Sequence, residues 1–237
     1  MINTFSFGSY ILVYNGQIYN TKELSETLKE NGFTLNSHSD TEVLLKSYIH
    51  YGKNVVNHLN GIFAFAIWDT NNNEIFLARD HFGVKPLFYT KIDETLVFSS
   101  EIKALFQYPG VKKVLNEQSI SELFGIGPAH TSGTTVFKNI YEIKPAHFGI
   151  FNKNGFNIKR YWKLKSEKHV DTFEETCEKL KFLLNDAITR QLVSDMPLCT
   201  FLSGGLDSSI ITKFASDYCE KQGLPPLDTY SIDYVDN

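Results

Sequence analysis

The segment FLSGGLDSS, residues 201–209, constrains the fold of this chain more than any other stretch. It follows the apolar run PLCTFL and precedes a helix predicted from about Ser208 to Lys221, after which TYSIDY has the composition of a second buried strand. This order of strand, loop, helix and strand is typical of the opening of a doubly wound parallel sheet. Two adjacent glycines let successive backbone N–H groups point into one concavity, and the following helix N-terminus adds more. The sequence therefore predicts a phosphate or pyrophosphate site.

The polar side chains of this loop refine the predicted ligand. Hydroxyl donors come from Ser203, Ser208 and Ser209, beside the backbone of Gly204 and Gly205. Asp207 would repel a bare phosphate, so we expect Mg²⁺ between the two. The segment has neither the lysine of a Walker A loop nor the GxGxxG spacing. It resembles the pyrophosphate loop of N-type ATP pyrophosphatases, which cleave ATP to AMP and pyrophosphate. A plain tight turn is the alternative.

Residues 10–160 have a different pattern, rich in strands and turns. Apolar runs predict strands at 10–14, 62–68 and 74–78, and later hairpins around Lys91–Glu94 and Asn152–Gly155. Two helices are predicted by capping boxes, Asn20 with Glu23 and Ser39 with Glu42, and they end at Gly32 and Gly52. A short helix is expected near Ser100. Two helices between paired β-ribbons favour an α/β layered sandwich.

The pattern changes near residue 165. The charged stretch SEKHVD is an exposed connector, and Thr172 with Glu175 predicts the capping box of a further helix. Apolar residues then recur at helical spacing from Phe173 to Leu192. We therefore predict two domains, residues 1–164 and 165–237.

Composition excludes several classes of function. With 23 basic and 27 acidic residues the net charge is −4, so neither nucleic acid nor an anionic membrane is the expected partner. The longest apolar runs are too short to span a membrane, and the N-terminus does not resemble a signal peptide. Cys177, Cys199 and Cys219 are widely spaced, so each is expected to be a small buried residue of a protein in the reducing cytosol.

A second constellation lies in VYNGQIYN, residues 13–20. An Asn side-chain amide beside a Gly backbone N–H is a suitable oxyanion pair for acyl transfer, and Asn15 and Gly16 provide one. In SHSDTEVLL, Asp40 opens a predicted helix and is able to direct its carboxylate at a substrate ammonium group. The residues alone leave two alternatives open: a β-turn at Asn15–Gly16 and an ordinary helix-start acid at Asp40.

The order of these motifs along the chain narrows the interpretation. YNGQIYN, SHSDTEVLL, NGIFAFAIWD, RDHFGVKPLFY, FSSEIKAL, YW.L and FLSGGLDSS follow one another. The whole chain resembles glutamine-hydrolysing asparagine synthetase. That resemblance implies an N-terminal-nucleophile (Ntn) glutaminase αββα sandwich followed by an ATP pyrophosphatase domain. It also implies glutamine, aspartate and ATP as substrates.

The resemblance assigns roles to individual residues. Asn15 and Gly16 match the oxyanion hole, and Asp40 matches the acid that binds the α-amino group of glutamine. Gln17 stands where the family often has Glu, also near that amino group, and the exchange removes one negative charge. The pyrophosphate and Mg²⁺ loop is matched by Ser203, Gly204, Gly205, Asp207 and Ser208. Two apolar residues match positions that touch the adenosine of ATP, Leu202 and Ile232, for which core packing is the alternative.

Five charged residues beside the buried strands are interpreted as structural rather than catalytic. They are Arg79, Asp80, Lys85, Glu101 and Lys103. We expect ion-paired scaffold, with a seam between domains as the alternative, because structural pairs are commoner than catalytic ones.

The match to the family fails at both ends. The family's nucleophile is a cysteine at the mature N-terminus, whereas this chain begins MINTFSF and offers no residue for that role. The rest of the synthetase domain, with the aspartate pocket, is not matched either. We therefore expect an incomplete sandwich in an internal fragment of the enzyme, or in the product of a broken gene or a partial sequence. The chain alone is expected to make no asparagine, and a homodimer is expected for the intact enzyme.

Two alternatives stay open at this point. One is a relative without glutaminase activity, such as a β-lactam synthetase-like cyclase. The other is a non-enzymatic remnant that binds another chain through exposed apolar faces. An in-frame upstream start reading Met-Cys-Gly would favour the synthetase over the cyclase.

Overall fold

The computed structural model describes residues 3–127, 131–194 and 196–233. The chain divides into two compact units, Met1–Lys165 and Ser166–Asn237, which we call unit 1 and unit 2. Among the described residues, each helix is too short or too polar to cross a membrane.

Unit 1 contains nine strands, four α-helices and one 3₁₀ helix in its described part. In chain order they are β1 (Asn3–Phe7), β2 (Tyr10–Ile18), α1 (Thr21–Glu30), α2 (Asp40–Tyr51), the 3₁₀ helix (Gly52–Asn57), β3 (Gly61–Asp69), β4 (Glu74–Arg79), β5 (Phe88–Ile92), β6 (Thr95–Ser99), α3 (Ile102–Leu105), α4 (Glu117–Ile126), β7 (Tyr141–Glu142), β8 (His147–Asn152) and β9 (Gly155–Arg160). Six strands form an antiparallel sheet in the order β1-β2-β3-β4-β8-β9, and three form a second in the order β6-β5-β7.

Two apolar cores hold unit 1 together because the strands alternate between two buried faces. One face of the six-stranded sheet packs against α1 and α2 through side chains such as Leu12, Leu28 and Leu44. Its other face packs through Ala66 and Leu77 against residues that include Leu87, Leu96 and Ile143. The result is a layered α/β sandwich of two sheets, as the sequence predicts.

The helices α1 and α2 lie where their predicted caps and terminal glycines place them, but only one of the two predicted N-cap side chains caps its helix. Both helices end where the glycines predict, since Gly32 and Gly52 have positive φ angles of 82° and 60°. The Asn20 side chain, however, does not cap α1, because it bonds to the backbone of His58 and Asn60 instead. Ser39 does cap α2, by accepting a hydrogen bond from the N–H of Thr41.

Glu42 does not play the part in the N-terminal cap of α2 that the predicted capping box with Ser39 gives it. Its side chain is fully buried and accepts hydrogen bonds from the N–H groups of Asn36 and Ser37. It also forms an ion pair with Lys46 at 2.5 Å. Burial opposes the charged form, but hydrogen bonds from Lys46 and from Ser37 outweigh it and lower the pKa of Glu42 to about 2. Glu42 therefore fixes the loop before α2 rather than the helix N-terminus.

Unit 2 begins with α5 (Phe173–Gln191), which carries the predicted capping box between Thr172 and Glu175. It continues with β10 (Cys199–Phe201), α6 (Leu206–Lys221) and β11 (Asp228–Tyr230). β10 and β11 pair in parallel, with Thr200 opposite Thr229. The predicted strand, loop, helix and parallel strand are therefore confirmed.

Burial in unit 2 contradicts two predictions. β10 and β11 are not buried strands, since Phe201 is 76% exposed and Tyr230 57%. Cys177 and Cys199 are exposed, whereas Cys219 is buried as expected. β10, which carries Cys199, and β11 are exposed because the parallel sheet has only two strands in the described residues, which leaves its apolar side chains little to pack against. Cys177 is exposed because it lies in α5, a helix without a buried residue.

Candidate functional site

The Asn-Gly pair lies inside β2, so the β-turn alternative for it is wrong. Asn15 pairs with Ala64 and Gly16 with Phe63 across β2 and β3. Leu12, Tyr14 and Ile18 point into the core beneath the helices, so strand alternation places the Asn15 side chain on the opposite face. There its Nδ2 donates to the Oγ of Ser100 at 3.3 Å.

Gly16 is required by close packing between the two strands. A Cβ atom at this position would lie 2.2 Å from the carbonyl oxygen of Ile62 and 2.8 Å from the Cα of Phe63. It would also lie 2.9 Å from Cε2 of the Tyr14 ring. A side chain of any size therefore displaces both the backbone of β3 and the Tyr14 ring.

Strand register gives the direction of the Gly16 N–H. The N–H of Phe63, opposite Gly16, donates to the carboxylate of Asp80 rather than to β2, which identifies a non-hydrogen-bonded pair. The Gly16 N–H therefore points away from β3. Because residues two apart in a strand direct their N–H groups to the same side, it points to the edge where the N–H of Ile18 lies.

Asp40 reaches this same edge of β2 from the start of α2. Its Oδ2 accepts hydrogen bonds from the hydroxyl of Tyr14 at 2.8 Å and from the N–H of Ile18 at 3.2 Å. Asp40 is the first helical residue and Ser39 is the cap, so Asp40 is not the capping side chain. The structure thus places one half-buried carboxylate beside the backbone of the segment that carries Asn15 and Gly16.

Gln17 lies between Gly16 and Ile18 and pairs with Ile62. It is half-buried, and strand alternation puts its side chain on the face of Asn15 rather than that of Tyr14.

Tyr14 contacts the candidate site although the sequence did not predict it. Its side chain is 1% exposed, and burial together with the Asp40 carboxylate raises the pKa of its hydroxyl well above the ordinary value. It therefore remains a neutral donor over the whole physiological pH range. The sequence signal that could have indicated Tyr14 is its position in β2. It lies two residues before Gly16, on the face that the helices cover.

Arg79, at the end of β4, is ion-paired scaffold as expected, whereas Asp80, which follows it, is scaffold through hydrogen bonds from backbone N–H groups. Arg79 is buried and bonds to Glu142 at 2.9 Å and to the carbonyls of Gly83, Lys85 and Ile143. Asp80 is 1% exposed and accepts four backbone N–H groups, those of Phe63, Phe82, Val84 and Lys85. Both side chains therefore hold the loop that follows β4.

Glu101 and Lys103 form an exposed ion pair at 2.5 Å. Hydrogen bonding to Glu101 raises the pKa of Lys103. Pairs of this kind contribute little to stability because solvent screens them.

The glycine loop of unit 2 is open and lined with hydroxyls. Gly204 has φ of 81°, a conformation that favours glycine, and the space where a Cβ would lie is empty to 4 Å. The Oγ atoms of Ser203 and Ser208 are 3.0 Å apart, and Ser208 Oγ also accepts from the N–H of Ser203. Gly205 is the N-cap of α6, and it offers no side chain to the first N–H groups of that helix.

The remaining predicted residues of this loop differ in exposure. Asp207 is exposed in the first turn of α6. Ile232 is 80% exposed, so core packing does not explain it in the described residues. Leu202 is half-buried and its N–H donates to the carbonyl of Tyr230 at 2.8 Å, which continues the parallel pairing.

Comparison with known proteins gives the family. Residues 4–162 match the family model described as "Glutamine amidotransferase domain", and residues 179–237 match the one described as "Asparagine synthase". Because the first match covers more than half of the chain, the chain belongs to the glutamine amidotransferase domain family.

The relatives narrow the comparison further. The chain is 52% identical over its whole length to "Asparagine synthetase [glutamine-hydrolyzing] 3" of Bacillus subtilis, of which it covers 39%. It is 37% identical over 92% of its length to "Asparagine synthetase [glutamine-hydrolyzing] 2" of the same organism, covering 30% of that protein. It is also 31% identical over 91% of its length to "Amidase chry2" of Gibberella zeae, covering 32%. The chain thus spans less than half the length of these relatives.

Proposed function

We propose that the protein containing this chain makes asparagine from aspartate, with glutamine as the source of ammonia and ATP as the activating substrate. The observation that carries the proposal is the edge of β2, where the Gly16 N–H and the Asp40 carboxylate lie on one side of a single strand segment. In this proposal residues 1–164 are the glutaminase part and residues 165–237 belong to the synthetase part.

In the glutaminase part, four residues would hold glutamine. Attack on the side-chain amide places negative charge on its oxygen, which the Nδ2 group of Asn15 and the N–H of Gly16 would stabilise. The Asp40 carboxylate would accept the α-ammonium group, and Gln17 would contact the ligand from the face of Asn15. Each catalytic cycle consumes one water and releases glutamate and ammonia. The three cysteines of the given sequence all lie in unit 2, so unit 1 as given offers no nucleophilic thiol.

In the synthetase part, the glycine loop would bind the pyrophosphate of ATP. Its donors suit that ligand: the hydroxyl of Ser203, the first-turn N–H groups of α6 left uncapped by Gly205, and the hydroxyl of Ser208 once it turns from the Gly205 carbonyl, to which it donates at 3.1 Å. The open space at Gly204 lets an anion approach the backbone closely. Leu202 and Ile232 would contact the adenosine, and the exposure of Ile232 is consistent with a surface that a ligand covers.

Asp207 would hold Mg²⁺ against the phosphate oxygens. Sites that bind Mg²⁺ together with phosphates need one or two carboxylates, and the exposed first-turn position of Asp207 fits that requirement. When bound, the ion would neutralise charge that develops on the pyrophosphate. The described residues contain no group of three or more His, Cys, Asp or Glu side chains that would hold a metal without phosphates.

The two half-reactions then form a balanced sequence. The β-carboxylate of aspartate attacks the α-phosphate of ATP, which gives β-aspartyl-AMP and releases pyrophosphate. Ammonia from glutamine displaces AMP and gives asparagine. The loop of unit 2 acts in the first step through its N–H and hydroxyl donors, and Asn15, Gly16 and Asp40 act in the supply of ammonia.

The experiment compares two nitrogen sources in the full-length protein encoded by the gene. With aspartate and MgATP present, asparagine is measured by chromatography with either glutamine or ammonium chloride. Asp40→Asn is expected to abolish most glutamine-dependent synthesis and to leave ammonia-dependent synthesis unchanged. Asp207→Asn is expected to lower both, and Glu101→Gln, at an exposed pair, is expected to change neither.

Different failures contradict different parts of the proposal. Hydrolysis of glutamine without asparagine formation would refute aspartate as the acceptor and keep the glutaminase. Asparagine formation from ammonia but never from glutamine would refute the glutamine site, and absence of both would favour the cyclase or binding-protein alternatives. Cytoplasmic location is part of the proposal, because the exposed thiols of Cys177 and Cys199 suit a reducing compartment. The homodimer stays a prediction.

A further inference from the structure

Asp40 is held by a side chain that has no assigned role. The Tyr14 hydroxyl donates to Oδ2 of Asp40 at 2.8 Å, and the N–H of Ile18 donates to the same oxygen at 3.2 Å. Both donors belong to β2, one before and one after the segment that carries Asn15 and Gly16. The carboxylate is thus bound to both ends of the segment that would receive the substrate amide.

The shape of β2 at this point accommodates the Tyr14 ring. The Cε2 atom of Tyr14 lies 2.9 Å from the position that a Cβ at residue 16 would occupy, so a glycine is needed for the ring to lie beside the strand. The ring is 1% exposed and lies in the core with Leu12 and Ile18. A side chain packed so closely has few alternative rotamers, and its hydroxyl is therefore fixed in space.

The two oxygens of Asp40 have different surroundings. Oδ2 takes the Tyr14 and Ile18 donors, whereas Oδ1 has one long contact of 3.4 Å from the Thr41 hydroxyl. Saturation of Oδ2 from the protein side leaves Oδ1 as the acceptor for a ligand cation. The hydrogen bond from Tyr14 thus determines which oxygen is presented and at what angle.

We propose that Tyr14 is a positioning residue for the substrate ammonium group: it holds Asp40 through Oδ2 so that Oδ1 faces the α-ammonium of glutamine at a fixed distance from the Asn15–Gly16 oxyanion pair. This inference rests on the proposed role of Asp40. It goes beyond that role by assigning to the core residue Tyr14 the discrimination between ligands with and without an α-ammonium group.

The chain offers a matched control in Tyr161. Tyr161 is half-buried, and its hydroxyl also donates at 2.8 Å, but to the carbonyl of Arg79 in the scaffold. Burial raises its pKa as well, with Asp80 as the second cause. Tyr161→Phe therefore removes a tyrosine hydrogen bond of the same length from the same unit without touching Asp40.

The test measures binding, which is independent of turnover. L-glutamate, the product of amide hydrolysis, and glutarate, which lacks the ammonium group, are titrated calorimetrically into the full-length protein and its variants. Tyr14→Phe is expected to weaken L-glutamate binding about tenfold and glutarate binding less than about twofold, because a hydrogen bond to a charged group is lost. Tyr161→Phe is expected to change both dissociation constants less than about twofold.

A double-mutant comparison decides whether Tyr14 acts through Asp40. In the Asp40→Asn background, Tyr14→Phe is expected to add less than about a twofold loss for L-glutamate. Equal losses for both ligands, or an undiminished tenfold loss in that background, would overturn the inference. If wild type binds L-glutamate but hydrolyses no glutamine, the proposed function fails while the comparison still decides the role of Tyr14. If wild type binds neither ligand, both are refuted.

Discussion

Replacement of Asp80 is predicted to destabilise unit 1 severely. The Asp80 carboxylate is 1% exposed and satisfies four backbone N–H groups, two at each oxygen. One of these belongs to Phe63, which lies opposite Gly16 in the register of β2 and β3. The side chain therefore links the loop after β4 to the strand that backs the candidate site.

The structure gives the size of the effect. Asp80→Asn keeps one carbonyl oxygen and turns an amide group toward the other two donors, which then lack an acceptor. A buried donor left unpaired costs about 1–3 kcal/mol, so the loss is about 2–6 kcal/mol. Asp80→Ala leaves all four donors unpaired, at about 4–12 kcal/mol, which is comparable to the whole stability of an ordinary domain. We expect that variant not to fold.

The assay uses the two tryptophans of the chain, Trp68 and Trp162, which both belong to unit 1. Guanidinium unfolding followed by tryptophan fluorescence therefore reports on unit 1 rather than on unit 2. Glu101→Gln is the control, because its carboxylate is 60% exposed and pairs in solvent with Lys103. An Asp80→Asn variant with the same midpoint as the control would refute the assignment of Asp80 as scaffold.

Three further predictions use the same unit or its neighbour. Gly16→Ala is expected to lower the free energy of unfolding by about 1–3 kcal/mol or more in the fluorescence assay, because its Cβ would lie 2.2 Å from a backbone oxygen. The control Gly125→Ala in α4, where a Cβ meets open space, is expected to be neutral or stabilising. Equal effects of the two substitutions would contradict close packing at Gly16. The folded-state pKa of Glu42 is about 2, below its ordinary 4.5, so the stability that its carboxylate contributes is complete above about pH 4.5 and is lost as the pH falls toward 2. Glu42→Gln should therefore flatten the dependence of the unfolding midpoint on pH in that window. An unchanged dependence would exclude Glu42 as its source. In the native chain a thiol reagent should label two cysteines quickly and Cys219 slowly, and rapid labelling of all three would contradict the burial of Cys219.

Much of the fold was predictable because its signals are local. The buried strands β3 and β4 follow from continuous apolar runs, and the turn between them from a cluster of asparagines. The start of α5 follows from a complete capping box at Thr172. Such signals depend on residues within a few positions of one another, so the sequence is sufficient.

Other features depend on partners that are distant in the sequence. Asn20 has the composition of a helix cap, but His58 and Asn60 provide competing backbone partners that the sequence does not reveal. The helix α4 was not predicted, although Asn116 caps it by accepting from Gln118, because its apolar residues are largely exposed and follow no clear core-facing stripe.

In the candidate site, too, some residues could be predicted from the sequence, whereas contacts between distant residues could not. Asn15, Gly16 and Asp40 were recognisable from the order of motifs, whereas the contact of Asp40 with Tyr14 spans 26 residues and appears only in the folded chain. The exposure of β10 and β11 was mispredicted because apolar composition reports what a strand is able to bury, and not which layer covers it.

A crystal structure of the full-length protein with L-glutamate would show whether glutamine binds at the edge of β2. We expect the α-ammonium group within hydrogen-bond distance of Oδ1 of Asp40, and the γ-carboxylate facing Nδ2 of Asn15 and the N–H of Gly16. A ligand bound away from the edge of β2, or bound there with its ammonium group on another acceptor, would refute the glutamine site at Asp40, Asn15 and Gly16.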